Sequence, residues 1–239
     1  NWNLEGYYDL NNIWISDKGL QNKKNLIWVD LNVLPKQGRA IGGHIISLAD
    51  DIPSGFETSC NPNIIAGITA KEFHRKFPFS TLIYLLWIHN YQIKKDLLAR
   101  LLVLHSDGTW LKFQNYTENC KNWQQYLNDY NWKWLFQNIN TATFEKRIDT
   151  ELYPLFLKLQ AVSSKSKLKS IHLKIQSLQY QFNPDWDEDI ILHLLKIFGK
   201  TLGWTPPEIP VIKSFISGNR RKVPLAIIKE HGLKEFLKE

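Results

Sequence analysis

Two stretches decide how the fold is read: Asn25-Leu26-Ile27-Trp28-Val29-Asp30, and Arg39-Ala40-Ile41-Gly42 running on to Ala49-Asp50-Asp51-Ile52-Pro53-Ser54. The first is apolar, partly β-branched and closed by an acid, so Asn25 to Leu34 reads as a strand that stops at Pro35. Lys36-Gln37-Gly38 reads as a turn, Arg39 to Ala49 as a second strand and Gly55 to Ser59 as a short third. Three strands in immediate succession suggest an antiparallel meander. Further on, Leu101-Leu102-Val103-Leu104-His105 is a continuous apolar run of the kind found in buried strands, and it ends at Ser106-Asp107. Apolar strands that each deliver one carboxylate at an end are what a two-metal phosphoryl-transfer site needs, because its acids lie far apart in the chain and meet only on folding.

The rest of the chain supplies helices. Asn63 to Phe77 and Ser80 to Arg100 are helical in pattern and separated by Pro78. Thr141 to Leu152 reads as a helix capped by Thr141 or Thr143, with Pro154 kinking or ending it. Asp187 to Phe198 is another, stopped by Thr205-Pro206-Pro207, and Val223 to Lys238 is a short amphipathic helix. Asp17-Lys18-Gly19 is a turn signal within an N-terminal segment that reads as a hairpin or a tail. Ser163 to Lys174 has little apolar weight and reads as a solvated connector. The expected class is therefore α/β: a mixed sheet, its three-strand antiparallel meander first, flanked by helices. That order matches an RNase H-like core. The expected divisions are an extension over 1–24, the core over 25–210 and a small helical appendage over 211–239.

The 239 residues are 44% hydrophobic, enough for a sizeable core. The formal net charge of +7 suits a polyanionic partner. Cys60 and Cys120 form neither a disulfide framework nor a zinc spacing, which points to a reducing compartment. The longest apolar stretch, Phe79 to Ile88, is about half what a bilayer crossing requires, and no signal peptide is visible. The expectation is a cytoplasmic, nucleoid-associated protein with no membrane partner.

Order and spacing then carry a resemblance. Asp30 precedes Arg39-Ala40-Ile41-Gly42 and Ala49-Asp50-Asp51-Ile52-Pro53-Ser54. Asp107-Gly108 follows an apolar run and precedes Phe113. Glu145-Lys146-Arg147-Ile148-Asp149-Thr150-Glu151-Leu152 begins 38 residues beyond Asp107, and Leu202-Gly203-Trp204-Thr205-Pro206-Pro207-Glu208 closes the region. This pattern resembles the catalytic core of retroviral-integrase-type DDE transposases, in the branch related to the phage Mu transposase. It departs from that family where Gly108 replaces the usual Asn after the second Asp.

The resemblance implies a transposase or integrase core that cuts DNA and joins the freed 3′ end to target DNA. Asp30, Asp107 and Glu145 would be the catalytic residues and would hold two Mg²⁺ or Mn²⁺ ions, with Glu151 and, less so, Asp149 as rivals for the third place. Asp51 matches a family position that is usually structural and stays out of the site. Hard oxygen ligands suit such ions, and a pair of them can activate the attacking oxygen and stabilise the leaving one. The implied partners are transposon-end and target DNA, further copies of the chain on that DNA, and an ATPase regulator by analogy with Mu-like systems. Lys112, Lys165, Lys167, Lys169, Arg220, Arg221 and Lys222 are candidate phosphate contacts, with Lys174 and Lys213 beside them.

Each acid also has an ordinary structural role open to it. Asp30 can begin a turn, Asp107-Gly108 is a common turn dipeptide, and Glu145 can complement a helix dipole. The alternatives are a non-catalytic DNA-binding protein derived from the same fold and an RNase H-like nuclease. Trp110, just after Asp107, could touch DNA or fill the core; the other tryptophans read as core rather than stacking platforms, and His105 as a satisfied strand histidine or a support for Asp107.

Overall fold

The computed structural model of the chain describes residues 2–8, 12–33, 37–48, 55–152, 154–155, 188–218 and 226. The strands are β1 (Gly6–Tyr8), β2 (Asn12–Ile15), β3 (Ile27–Val29), β4 (Arg39–Ile41), β5 (Ser59–Cys60) and β6 (Ser214–Ser217). The helices are α1 (Asp17–Gln21), α2 (Pro62–Ile65), α3 (Thr81–Ile88), α4 (Leu97–His105), α5 (Thr109–Asn115), α6 (Thr117–Tyr126), α7 (Trp132–Phe136), α8 (Thr141–Arg147) and, further on, α9 (Glu188–Leu202). The class is mixed α/β with small sheets. The chain divides into two units, Asn1–Lys76 with Pro210–Glu239, and Phe77–Ile209.

In the first unit, β1 and β2 form an antiparallel hairpin, and β6 adds antiparallel to β2 with Ile13 opposite Ile216. Part of the region expected as a helical appendage is thus a sheet strand. Asp17-Lys18-Gly19 is not a turn but the start of α1, because Ser16 caps it and accepts a hydrogen bond from the Gly19 N–H at 3.0 Å.

The second sheet corrects the expected meander: β3, β4 and β5 run parallel, with Trp28 opposite Ala40 and Ala40 opposite Ser59. Alternation and apolar content locate a strand but do not encode its direction. Gly38 shows why the hairpin reading failed. Its φ of +121° and the 2.7 Å that a Cβ there would leave to the Leu26 carbonyl mark a close backbone crossing, made so that Arg39 can enter beside Leu26. The strands are also shorter than expected. Residues 55–58 form turns, and Ala49 to Ser54 lies outside the described residues.

The second unit departs most from expectation. Leu101 to His105 is not a strand but the last part of α4. Asp96 starts that helix by accepting a hydrogen bond from the Ala99 N–H at 2.8 Å. Leu101, Leu102, Val103 and Leu104 are all buried, so this part of the helix is covered on every side and the run itself carries no amphipathic period. A short run of that kind reads alike as helix or strand. The helix expected from Ser80 to Arg100 is likewise two helices. Ser80 caps α3, His89 ends it, and Asn90 turns the chain with a φ of 44° before Asp96 restarts it. Asn140, rather than Thr141 or Thr143, caps α8, accepting from the Thr143 N–H at 2.9 Å. That helix passes into one wider turn over Ile148–Leu152. α9 ends at Leu202 with Gly203 at a φ of 81°, three residues before the Pro pair.

Aromatic residues fill this unit. Phe77 meets Tyr84 at 5.5 Å and Trp123 at 5.2 Å between ring centres, and Phe79 stacks on Trp132 at 5.4 Å and touches Phe136 at 5.5 Å. Trp110 packs on Phe113 and Phe144 at 5.7 and 5.2 Å. Trp110, Trp123 and Trp132 are therefore core residues, the role expected of Trp123 and Trp132 and one of the two open to Trp110. Cys120 is buried in the same unit, and burial pushes its thiol up to about 12, while Cys60 is exposed. Since the thiolate is the reactive species, the native protein should titrate one thiol with a disulfide reagent near pH 8 and two in denaturant. Two fast thiols in the native state would contradict the burial of Cys120.

Among the described residues, no helix is long and apolar enough to cross a membrane.

Candidate functional site

Asp30 stands at the carboxyl end of β3, where ligands commonly bind in parallel sheets. Its φ of 69° is left-handed, a conformation that costs a non-glycine residue free energy and that Asp tolerates better than most. The backbone there is tied down by the Asp30 N–H donating to the Ile41 carbonyl at 2.6 Å. Gly42 comes next on β4, and a Cβ there would sit 3.2 Å from the Asp30 Cα, so the bare backbone allows the approach. Beyond it, His44 places Nε2 3.2 Å from Asp30 Oδ1.

The loop that carries His44 is held from beneath by two buried amides. Asn63 Nδ2 donates to the Gly43 carbonyl at 2.8 Å and to the Ile45 carbonyl at 3.2 Å, and Asn61 Nδ2 donates to the Ile45 carbonyl at 2.8 Å. Asn61 also caps α2 by accepting from the Asn63 N–H. The parallel sheet therefore presents a positioned carboxylate–imidazole pair at its carboxyl edge. Sequence reasoning gave Asp30 but not His44, Asn61 or Asn63. No spacing motif links 30 to 44, and the only available signal was the Gly-Gly-His turn after an apolar strand.

Asp107 lies in a different setting. It is in the turn between α4 and α5, with a φ of 50°, followed by Gly108 at 64°. It is exposed, and its Oδ2 pairs with Lys112 Nζ at 2.6 Å, one turn into α5. The expected phosphate contact Lys112 is thus engaged with the expected metal ligand. The premise that a buried strand delivers Asp107 is corrected, because the residues before it are helical. His105 closes that helix, and burial pushes its imidazole down to about 4, so it is neutral at physiological pH.

Glu145 is on α8 and half-buried. Of its rivals, Glu151 pairs with Arg147 one helical turn before it, and Asp149 is buried. Asp30 belongs to the first unit, whereas Asp107 and Glu145 belong to the second. Among the described residues, no group of three or more His, Cys, Asp or Glu side chains is gathered so that it could hold a metal ion. Lys165, Lys167, Lys169, Lys174, Arg220, Arg221 and Lys222 lie outside the described residues, as does all but Ala226 of the C-terminal helix expected over 223–238. Lys213 is described, and its Nζ pairs with Asp17 at 3.2 Å.

No family model, no curated protein and no solved structure matches the chain.

Proposed function

We propose that this chain binds DNA without a two-metal catalytic centre. This is the non-catalytic branch of the transposase-like reading. One observation carries it: Asp30 and Asp107 are each engaged inside their own unit, Asp30 with the His44 imidazole at 3.2 Å and Asp107 in an ion pair with Lys112 at 2.6 Å. Carboxylates brought together for two cations would repel one another in the empty site and raise each other's pKa. Each of these two carboxylates instead faces a basic side chain of its own unit. The formal net charge of +7 and a pI of about 9.2 supply the attraction for a polyanion.

The competing reading is the metal-dependent RNase H-like transposase or integrase core, carried by the order and spacing of Asp30, Asp107 and Glu145 alone. Affinity for a labelled duplex, measured by fluorescence anisotropy across a salt series, tests the proposal. The logarithm of the affinity should fall linearly with log salt with a slope of about −3 or steeper, which corresponds to at least three neutralised phosphates. EDTA should leave it unchanged. Absence of binding at low salt, or binding that requires Mg²⁺, would contradict the proposal.

A further inference from the structure

Three phenylalanines fall within seven residues, Phe73, Phe77 and Phe79, and the chain treats them differently. Phe77 and Phe79 are 2% and 1% exposed, whereas Phe73 is 62% exposed. A single exposed ring is ordinary. What distinguishes Phe73 is its setting. It lies on the tight turn Ala70–Arg75, pinned at its start by the Ala70 N–H donating to the Ser47 carbonyl at 2.8 Å and by Thr69, whose hydroxyl accepts from the Lys71 N–H. Lys71, Arg75 and Lys76 surround it in sequence, and Lys76 Nζ stands 5.7 Å from the centre of its ring. The one acid of the turn, Glu72, is paired with Arg75 at 2.6 Å.

We infer that Phe73 is a stacking platform for an unpaired base, with Lys71 and Lys76 holding the adjoining phosphates, so that the first unit contacts single-stranded nucleic acid. This rests on the DNA-binding reading and deepens it. An aromatic face accepts any base, and stacking needs the base out of a duplex. An ammonium held over the ring lies within a side chain's reach of the sugar-phosphate linkage of a base stacked there. A lipid surface fits less well. The turn is six residues long, too short for an amphipathic helix lying in a membrane interface.

The test compares wild type and Phe73→Ala for binding to a fluorescent dT20 strand and to a duplex of equal length, with vesicles containing phosphatidylserine as a third probe. Because Phe73 is exposed, its truncation leaves the fold intact, which circular dichroism checks. Phe73→Ala should weaken dT20 binding by about 5- to 100-fold, change duplex binding less than about twofold, and be rescued by Phe73→Trp. Lys76→Gln should flatten the single-strand salt slope by about 0.7. Equal affinity of Phe73→Ala and wild type for dT20, equal loss on strand and duplex, or loss confined to vesicles would each overturn the inference. Duplex binding by a wild type that ignores dT20 would overturn it while leaving the DNA-binding reading in place. Binding of neither DNA would end both.

Discussion

Replacing Phe79 with alanine is expected to destabilise the unit Phe77–Ile209 by about 3–5 kcal/mol, which is the range for truncating a large buried aromatic. The residue is 1% exposed, stacks on Trp132 and touches Phe77 and Phe136. Its loss removes apolar burial and leaves a cavity between elements separated in sequence, so collapse of the site cannot recover most of the cost. Phe79→Leu should cost much less, because it retains most of the volume. Urea unfolding followed by tryptophan fluorescence reads both, since Trp132 lies against the substituted ring. A loss below about 1 kcal/mol for Phe79→Ala would mean that this aromatic cluster is not the core of the unit.

Asn63→Ala is expected to cost about 2–3 kcal/mol, through the buried carbonyl acceptors it leaves unmatched. Its side chain is fully buried and holds the Gly43 and Ile45 carbonyls. The Ile45 carbonyl keeps Asn61 as a donor, so Gly43 bears most of the loss. The effect reaches the carboxyl edge of the parallel sheet, because the released loop is the one that sets His44 beside Asp30. The variant should therefore also shift the NMR signals of the His44 ring protons, whereas Ile65→Ala on the exposed side of α2 should not. Unchanged His44 ring-proton signals in a destabilised Asn63→Ala would detach the amide clamp from the Asp30–His44 pair.

What the sequence made legible follows a physical pattern. β3, β4, the helix beginning after Ser80 and α9 were readable because local signals set them: apolar runs, the break at Pro78, a Thr-Pro-Pro stop, whereas the N-terminal segment read only as a hairpin or a tail, from a turn signal that is in fact the start of α1. The direction of β3 to β5 was not, since parallel and antiparallel strands present the same alternation. Nor was α4, whose run over 101–104, buried on every side, carries no period that would have marked it. That error carried over to the site, because an Asp107 delivered by a strand belongs to a sheet-edge cluster, while an Asp107 in an inter-helix turn pairs with Lys112 on the next helix. Asp30 was found at a strand end, where expected, but its partner His44 depends on a loop whose shape is set by Asn61 and Asn63, more than fifteen residues downstream.

We propose that DNA binding by this chain does not use Asp30, Asp107 and Glu145 as a cation-dependent centre for cleavage. Incubation of the protein with supercoiled plasmid in Mg²⁺ or Mn²⁺, beside the variants Asp30→Asn, Asp107→Asn and Glu145→Gln, tests it most directly. The wild type is expected to leave the plasmid supercoiled under conditions where anisotropy shows it bound, and the three variants are expected to behave identically. Metal-dependent nicking by the wild type that disappears in each variant would contradict it.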